Sequence, residues 1–294
     1  MTKISGIFAA TMSVLNSDLS LNIEKTIDHA EKLIDQGCHG TAIFGSTGQS
    51  QLISVSEKID LLNKLSKSKF KDKHLIGTGF NSLAETINFM NIATSLKFNK
   101  FLIMPPAYYK YGDAEVIEFY SKIVSSIPNC KIILYNFEKL CGYKFSIECV
   151  RELVKKFPKQ IVGVKDSSYN LFENLKLENF SIFPGSELKL LKGLDLGCSG
   201  IITATCNVTA EMSRKVYDDF YSGRKQSLNQ KLCDVRGAFD KYNLISGLHT
   251  YLSREDKIYK NILPPLSLLN KSDEKDLIDT LKGLNFTNKS SMAA

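Results

Sequence analysis

Apolar residues along this chain follow two rhythms. Eight short runs are apolar at consecutive positions. They are Phe8-Ala9-Ala10-Thr11-Met12, Gly40-Thr41-Ala42-Ile43-Phe44, His74-Leu75-Ile76-Gly77-Thr78-Gly79, Phe101-Leu102-Ile103-Met104, Lys131-Ile132-Ile133-Leu134-Tyr135, Ile161 to Lys165, Phe180-Ser181-Ile182-Phe183 and Gly200-Ile201-Ile202-Thr203-Ala204. Between them the apolar positions recur at three- and four-residue steps, as Ile23, Ile27, Ala30 and Ile34 do within Asn22 to Gln36. That spacing lays one apolar stripe along a helix. Ser82 with Glu85 three residues on has the form of a capping box at a helix start. Asp113 to Ile127 and Ser146 to Phe157 repeat the helical scheme, and Gly37 and Gly223 stand where helices should stop.

Runs buried on both faces and joined by helices imply parallel strands covered by helices. Eight such units over residues 1–223 predict an α/β fold of the (β/α)8, or TIM barrel, kind. A doubly wound sheet competes with it, but no GxGxxG follows the first strand. After Gly223 the alternation ends. Arg224 to Asn243, Leu244 to Lys260 and Ser272 to Leu281 read as helices, so residues 224–294 are expected to form a C-terminal helical appendage. The small, polar tail from Asn285 to Ala294 is expected to fray.

Composition narrows the function classes. The 294 residues are 43% hydrophobic and 23% charged, as in an ordinary globular chain. No stretch reaches the roughly 18 apolar residues that span a bilayer, and no basic-then-apolar leader opens the chain. A cytoplasmic protein with no membrane partner is expected. The net charge of +7 comes from lysines scattered among acids, and the densest patch, Lys64 to Lys73, reads as a solvated helix end and loop. No nucleic-acid partner is expected. Seven cysteines without a CxxC pair, and four histidines without HxxxH or HExxH, point to buried free thiols and no metal site.

Candidate chemistry gathers at strand ends. In Gln160-Ile161-Val162-Gly163-Val164-Lys165-Asp166-Ser167-Ser168 an apolar strand ends on a lysine. The plain alternative is a surface lysine opening a loop, or one paired with Asp166. An amine set between Val162 and Val164 is partly desolvated, however, and burial favours the neutral form. A neutral amine can attack a ketone and form a Schiff base, which then draws electrons from the adjacent carbon. The loop Gly45-Ser46-Thr47-Gly48-Gln49-Ser50 offers backbone N–H groups and hydroxyls to a carboxylate or phosphate, although a plain polar turn would look the same. It is no P-loop, since no GK[ST] follows. Tyr135 ends the fifth run and Tyr108 follows the fourth. A phenol at a strand's mouth can carry a proton, whereas Tyr109 and Tyr111 read as lid or interface aromatics.

Taken in order, these stretches resemble the dihydrodipicolinate synthase and N-acetylneuraminate lyase superfamily, from Gly6 to about Gly223. "GSTGQS" is similar to that family's GTTGES loop, "LYNF" to its YN strand end and "GVKDSS" to its Schiff-base strand. "PGSE" and "GIITATCNV" are similar to its seventh and eighth strands. The resemblance implies that Lys165 forms the imine, which is a covalent link to substrate that uses no separate cofactor. It implies that Tyr135 relays protons beside it and that Ser46 and Thr47 bind a pyruvate-type carboxylate, Thr47 also linking the tyrosines. Tyr108 would complete the relay in a neighbouring subunit's site. Gly185 and Ile202 would line the pocket, and the assembly would be a homotetramer, a dimer of dimers.

Three departures matter. The synthases continue the YN strand end with Pro-Gly-Arg-Thr, whose arginine holds the carboxylate of aspartate semialdehyde. Here Tyr135-Asn136-Phe137-Glu138-Lys139-Leu140-Cys141-Gly142 places Leu140 at the arginine. An aliphatic side chain cannot give forked, charge-assisted bonds. Lys139 is adjacent, but on an extended segment a neighbour points elsewhere. Gln49 replaces a glutamate near the mouth, and Ala107 replaces one of two paired tyrosines. The expected activity is therefore that of a metal-independent class I lyase or aldolase that forms or consumes pyruvate. Its other partner would be an aldehyde, and its substrate a 2-keto-3-deoxy sugar acid or related 2-keto acid. A true dihydrodipicolinate synthase using Lys139, or a non-catalytic 2-keto-acid sensor, are the alternatives. A phosphate-binding barrel is weaker, because the seventh and eighth strand ends lack a basic or Gly-rich cradle.

Overall fold

The computed structural model describes residues 3–287. Eight parallel strands alternate with helices. They are β1 (Gly6–Ala10), β2 (Gly40–Ile43), β3 (His74–Gly77), β4 (Lys100–Ile103), β5 (Lys131–Asn136), β6 (Ile161–Asp166), β7 (Ser181–Pro184) and β8 (Gly200–Thr203). Pairing runs in the order β7-β6-β5-β4-β3-β2-β1-β8. The Ser199 N–H, just before β8, donates to Ile182 O on β7 over 2.8 Å and draws the two ends together. The result is the expected (β/α)8 barrel, nearly closed.

The outer layer is α1 (Ile23–Asp35), α2 (Val55–Leu65), α3 (Leu83–Ser95), α4 (Asp113–Ser126), the single turn α5 (Glu138–Cys141), α6 (Ile147–Lys156), the short α7 (Leu190–Asp195) and α8 (Cys206–Tyr221). Asn22, Ser54, Ser82 and Ser146 each accept a backbone N–H of the first turn. At Ser82 this is half of the expected capping box, and the reciprocal box forms instead at Ser54 and Glu57. Gly37 and Gly223 follow α1 and α8 with left-handed φ of 111° and 65°. Strand side chains alternate between two cores. Inward residues, among them Phe8, Leu102, Ile133, Phe183 and Ile202, fill the barrel. Outward ones such as Ile132, Leu134 and Val164 pack under the helices.

The first strand begins and ends earlier than its apolar run suggests. Met12 leaves the barrel because its N–H donates to Asn207 Oδ1 over 3.0 Å and its side chain packs with Val235 and Phe239 of the C-terminal helices. Those helices are α9 (Asn229–Asp240), α10 (Leu244–Leu252) and α11 (Lys271–Gly283). The expected helix from Leu244 to Lys260 breaks after α10. Asp256 then accepts the N–H of Ile258 and starts a separate 3-10 turn, Lys257–Lys260. Part of the tail is docked rather than frayed, since Phe286 is buried and stacks on Tyr251 at 5.8 Å. Residues 288–294 lie outside the described residues.

Three histidines sit in these cores. His29, His74 and His249 are buried, and burial pushes each from an ordinary value of 6.5 down to about 4. Well above pH 6.5 neither the folded nor the unfolded chain protonates them. Between 6.5 and about 4 the unfolded chain takes up protons that the fold refuses, so stability falls as pH falls. Each group accounts for roughly 3 kcal/mol across that window. Denaturant titrations from pH 7.5 to 4.5 should therefore show a steep loss, and His74→Leu should reduce the slope by about a third. An unchanged slope would mean that His74 titrates freely.

Candidate active site at the C-terminal ends of the strands

The register of β5 and β6 sets the position of the lysine. Ile132 pairs with Ile161 but Ile133 pairs with Gly163, so Val162 is an extra, bulged residue. Beyond the bulge Tyr135 stands opposite Lys165, both inward, and Asn136 stands opposite Asp166, both outward. Gly163 is required beneath them, because a Cβ there would come 2.5 Å from Ser181 O and 2.8 Å from Ile133 Cδ1. Lys165 is 4% exposed. Its Nζ lies over the face of Tyr135, 4.2 Å from the ring centroid. No ion pair to it occurs among the described residues.

Asp166 does not pair with Lys165. It is fully buried on the other side of the strand and accepts from Asn136 Nδ2 at 2.8 Å and from the N–H groups of Tyr169, Leu171 and Phe172 at 2.8–2.9 Å. Burial raises its pKa, and these donors act in the opposite direction. Its role is to fold the loop after β6, which leaves the lysine with an aromatic neighbour and an open side.

That open side is a cavity of about 710 Å³. Lys165, Tyr135, Ser46, Thr47 and Gly185 meet there. The Tyr135 phenol is 2.9 Å from Ser46 Oγ, so Ser46 rather than Thr47 makes the hydroxyl contact to this tyrosine. Thr47 is buried on the cavity wall. Gly185 lets β7 close on the β6 loop, since a Cβ would approach Ser167 Oγ to 2.3 Å. Ile202 lies beneath, fully buried in the barrel interior. Tyr108 is not brought to its own cavity. It is 89% exposed, with a left-handed φ of 86° and its ring edge-on to Tyr109. Phe44, Gln49 and Tyr169 are likewise left-handed without being glycine. These four lie in loops that follow β2, β4 and β6, while Leu19, Lys97, Asn179 and Asn285 are left-handed elsewhere in the fold.

The segment after β5 is a helical turn, not an extended one, and this corrects the view of Lys139. Lys139 and Leu140 both line the cavity. Leu140 is 44% exposed and also borders a second, apolar cavity of about 330 Å³ on the other side of Tyr135, where Ala107 stands. Gln49 is not at the mouth. It is buried on the wall of the second, apolar cavity, and its side chain bonds to His249 of α10 and to the Leu263 N–H in the loop before α11.

Sequence reasoning missed the far wall. Arg236 on α9 lines the cavity and donates through Nη1 to the fully buried Glu187 at 3.1 Å and to Thr203 at 2.9 Å, and through Nε to Asp240 at 2.8 Å. Burial works against its charge, while Glu187 and Asp240 hold that charge on. The available signal was an arginine in step with Leu232, Val235 and Phe239 on the buried face of α9. Among the described residues no group of three His, Cys, Asp or Glu is placed to hold a metal ion, and no helix is long and apolar enough to cross a membrane.

Comparison with known proteins agrees with this architecture. The model of the dihydrodipicolinate synthetase family matches residues 3–284. An uncharacterised DapA-like lyase of Chloroflexus aurantiacus is 27% identical over 284 residues, 94% of each chain. An N-acetylneuraminate lyase of Actinobacillus pleuropneumoniae is 30% identical over 225 residues, 74% of this chain and 76% of that one. Among solved structures, YagE from E. coli K12, a dihydrodipicolinic acid synthase family protein in complex with pyruvate, superposes with a TM-score of 0.88. It is 21% identical and covers 97% of this chain and 100% of its own, a likeness of fold. A buried lysine at the end of the sixth strand, a phenol across its register and a family model spanning nearly the whole chain make this protein a member of the dihydrodipicolinate synthetase family, a family of lyases.

Proposed function

We propose that the protein is a class I lyase or aldolase that forms or consumes pyruvate through an imine on Lys165, without a metal. The observation that carries this reading is the buried amine over the Tyr135 ring, with no carboxylate paired to it among the described residues and with the phenol on Ser46. A keto acid entering the cavity would set its carboxylate on the hydroxyls and N–H groups of Ser46 and Thr47 and its carbonyl carbon at Nζ. The amine adds to that carbon, the carbonyl oxygen takes one proton from the amine nitrogen and a second from Tyr135, and it leaves as water, with the nitrogen now a protonated imine and Tyr135 a phenolate to be reprotonated. The imine then stabilises the carbanion that forms or breaks the carbon–carbon bond.

The second partner is read from the outer cavity. Its wall carries Ser167, Ser168, Tyr169, Ser186 and Asn243, a set of donors and acceptors suited to a hydroxylated chain. Leu140 in place of a forked cation weakens the case for aspartate semialdehyde. We therefore favour a 2-keto-3-deoxy sugar acid or related 2-keto acid, with an aldehyde as co-product. One observation supports the synthase reading: Lys139 lines the cavity from the helical turn and has no ion-pair partner among the described residues. The apolar cavity beside Ala107 and Tyr135 is suited to an aromatic ring. The exposed, strained Tyr108 of a second copy fits it chemically, in keeping with a homotetramer built from dimers.

Borohydride reduction with labelled pyruvate should attach label to Lys165, and Lys165→Ala should take up none. Label elsewhere, or none in the parent protein, would overturn the imine. Tyr135→Phe should lower turnover about 10²- to 10⁴-fold while leaving slow trapping measurable. Among candidate 2-keto acids scored by pyruvate release, sugar acids should turn over faster than pyruvate condenses with aspartate semialdehyde. The reverse order, abolished by Lys139→Ala, would establish the synthase reading.

A further inference from the structure

The Ser46–Thr47 turn is held from behind by a chain of buried side chains. Gln49 follows the turn in the left-handed region, with φ 54°, and its N–H donates to Ser46 O over 3.0 Å. Its side chain points away from the Lys165 cavity toward α10 and the loop before α11. There Oε1 accepts from the Leu263 N–H at 2.8 Å, which fixes the orientation of the amide. The amide nitrogen therefore faces His249 Nε2 at 3.1 Å as a donor.

The proton on His249 follows by elimination. Its Nδ1 is 2.8 Å from Tyr259 O, and a carbonyl can only accept, so Nδ1 carries the hydrogen. Nε2 then bears the lone pair that receives the Gln49 amide. The second imidazole has the opposite form. Asn207 spends its amide nitrogen on Ala10 O and Ala204 O, so its Oδ1 accepts from His29 Nε2–H at 2.7 Å. His29 Nδ1 accepts from the Tyr259 hydroxyl at 2.8 Å. Tyr259 thus joins both imidazoles, one through its hydroxyl and one through its carbonyl. The chain runs from the ends of β1 and β8 through His29, Tyr259 and His249 to the turn that carries Ser46.

We propose that Gln49 and His249 are a positioning pair for the reacting groups, in which a neutral imidazole carrying its proton on Nδ1 aims the Gln49 amide and so holds Ser46 against Tyr135. An amide is needed at position 49 because a carboxylate there would face a lone pair. The bond could form only if the pair took up one more proton, on His249 or on the carboxyl itself. Neither side chain touches substrate. Their effect on turnover rests on the imine reading above, whereas the proton's place on His249 does not.

Two measurements test this. In nitrogen-15 spectra of the parent protein, one of the three buried imidazoles should carry its proton on Nδ1 and vanish in His249→Gln. A second should carry it on Nε2 and vanish in His29→Gln, and the signal of His74 should persist in both variants. A His249 protonated on Nε2 overturns the pair, whatever the enzyme does with pyruvate. In the second, Gln49→Glu and Gln49→Met are compared with the parent for the rate of borohydride-trapped imine formation with pyruvate at pH 6 and pH 8. The titratable groups facing His249 are His29 and Tyr259, with Asp256 and Glu255 behind Tyr259. Acid should let the pair in the glutamate variant take up that one further proton. Its rate relative to the parent should be down at least tenfold at pH 8 and recover severalfold at pH 6, while the methionine variant stays slow at both. Equal, pH-independent losses would reduce Gln49 to a space-filler, and rates within twofold of the parent would remove it from the site; both overturn the proposal. A parent protein that forms no imine would sink the functional reading and leave the spectra to decide the pair.

Discussion

An amine buried without a carboxylate is costly, and the rest of this site is arranged around that constraint. A charged ammonium in a protein interior is normally paired or pushed toward its neutral form. Beside Lys165 stand the face of Tyr135 and an open cavity. The bulge at Val162 produces this arrangement. Without the extra residue, the positions beyond it would exchange faces, sending Lys165 among the helices and Asp166 into the barrel. With it, the lysine points inward and the aspartate folds the loop beside it. One irregularity thus separates two adjacent ionisable side chains by the thickness of the strand and leaves the amine facing the open cavity.

The C-terminal helices complete the barrel's mouth in two ways. Arg236 from α9 satisfies the buried Glu187 and becomes part of the cavity wall, so the far end of the site is polar without a free buried charge. His249 from α10 takes hold of the loop after β2 through Gln49. Both contacts involve side chains distant in sequence from the residues they hold. The appendage therefore acts on the site as a support for loops whose own backbones are strained.

Much of the barrel was legible in the chain because parallel strands covered on both sides leave runs of Val, Ile and Leu, and the helices between them keep one apolar stripe. The lysine, Tyr135 and the Ser46–Thr47 turn were legible as well, because each ends an apolar run. What stayed hidden depends on geometry that a linear pattern does not encode. The bulge at Val162 leaves no periodic mark in a run that is apolar throughout. The segment holding Lys139 and Leu140 reads as extended only until its turn is seen to be helical. Gln49 looks like a residue of the mouth because its neighbours are, yet its left-handed backbone turns the side chain toward α10. Arg236 is one charge on an otherwise apolar helical face, and only the buried Glu187 opposite explains it.

A structure determined after soaking with pyruvate tests the central claim most directly. Continuous density from Lys165 Nζ to the keto carbon, with the Tyr135 hydroxyl at hydrogen-bond distance from the new bond, is the predicted result. Pyruvate held only by hydrogen bonds, with the lysine amine turned away from its carbonyl, would contradict the account.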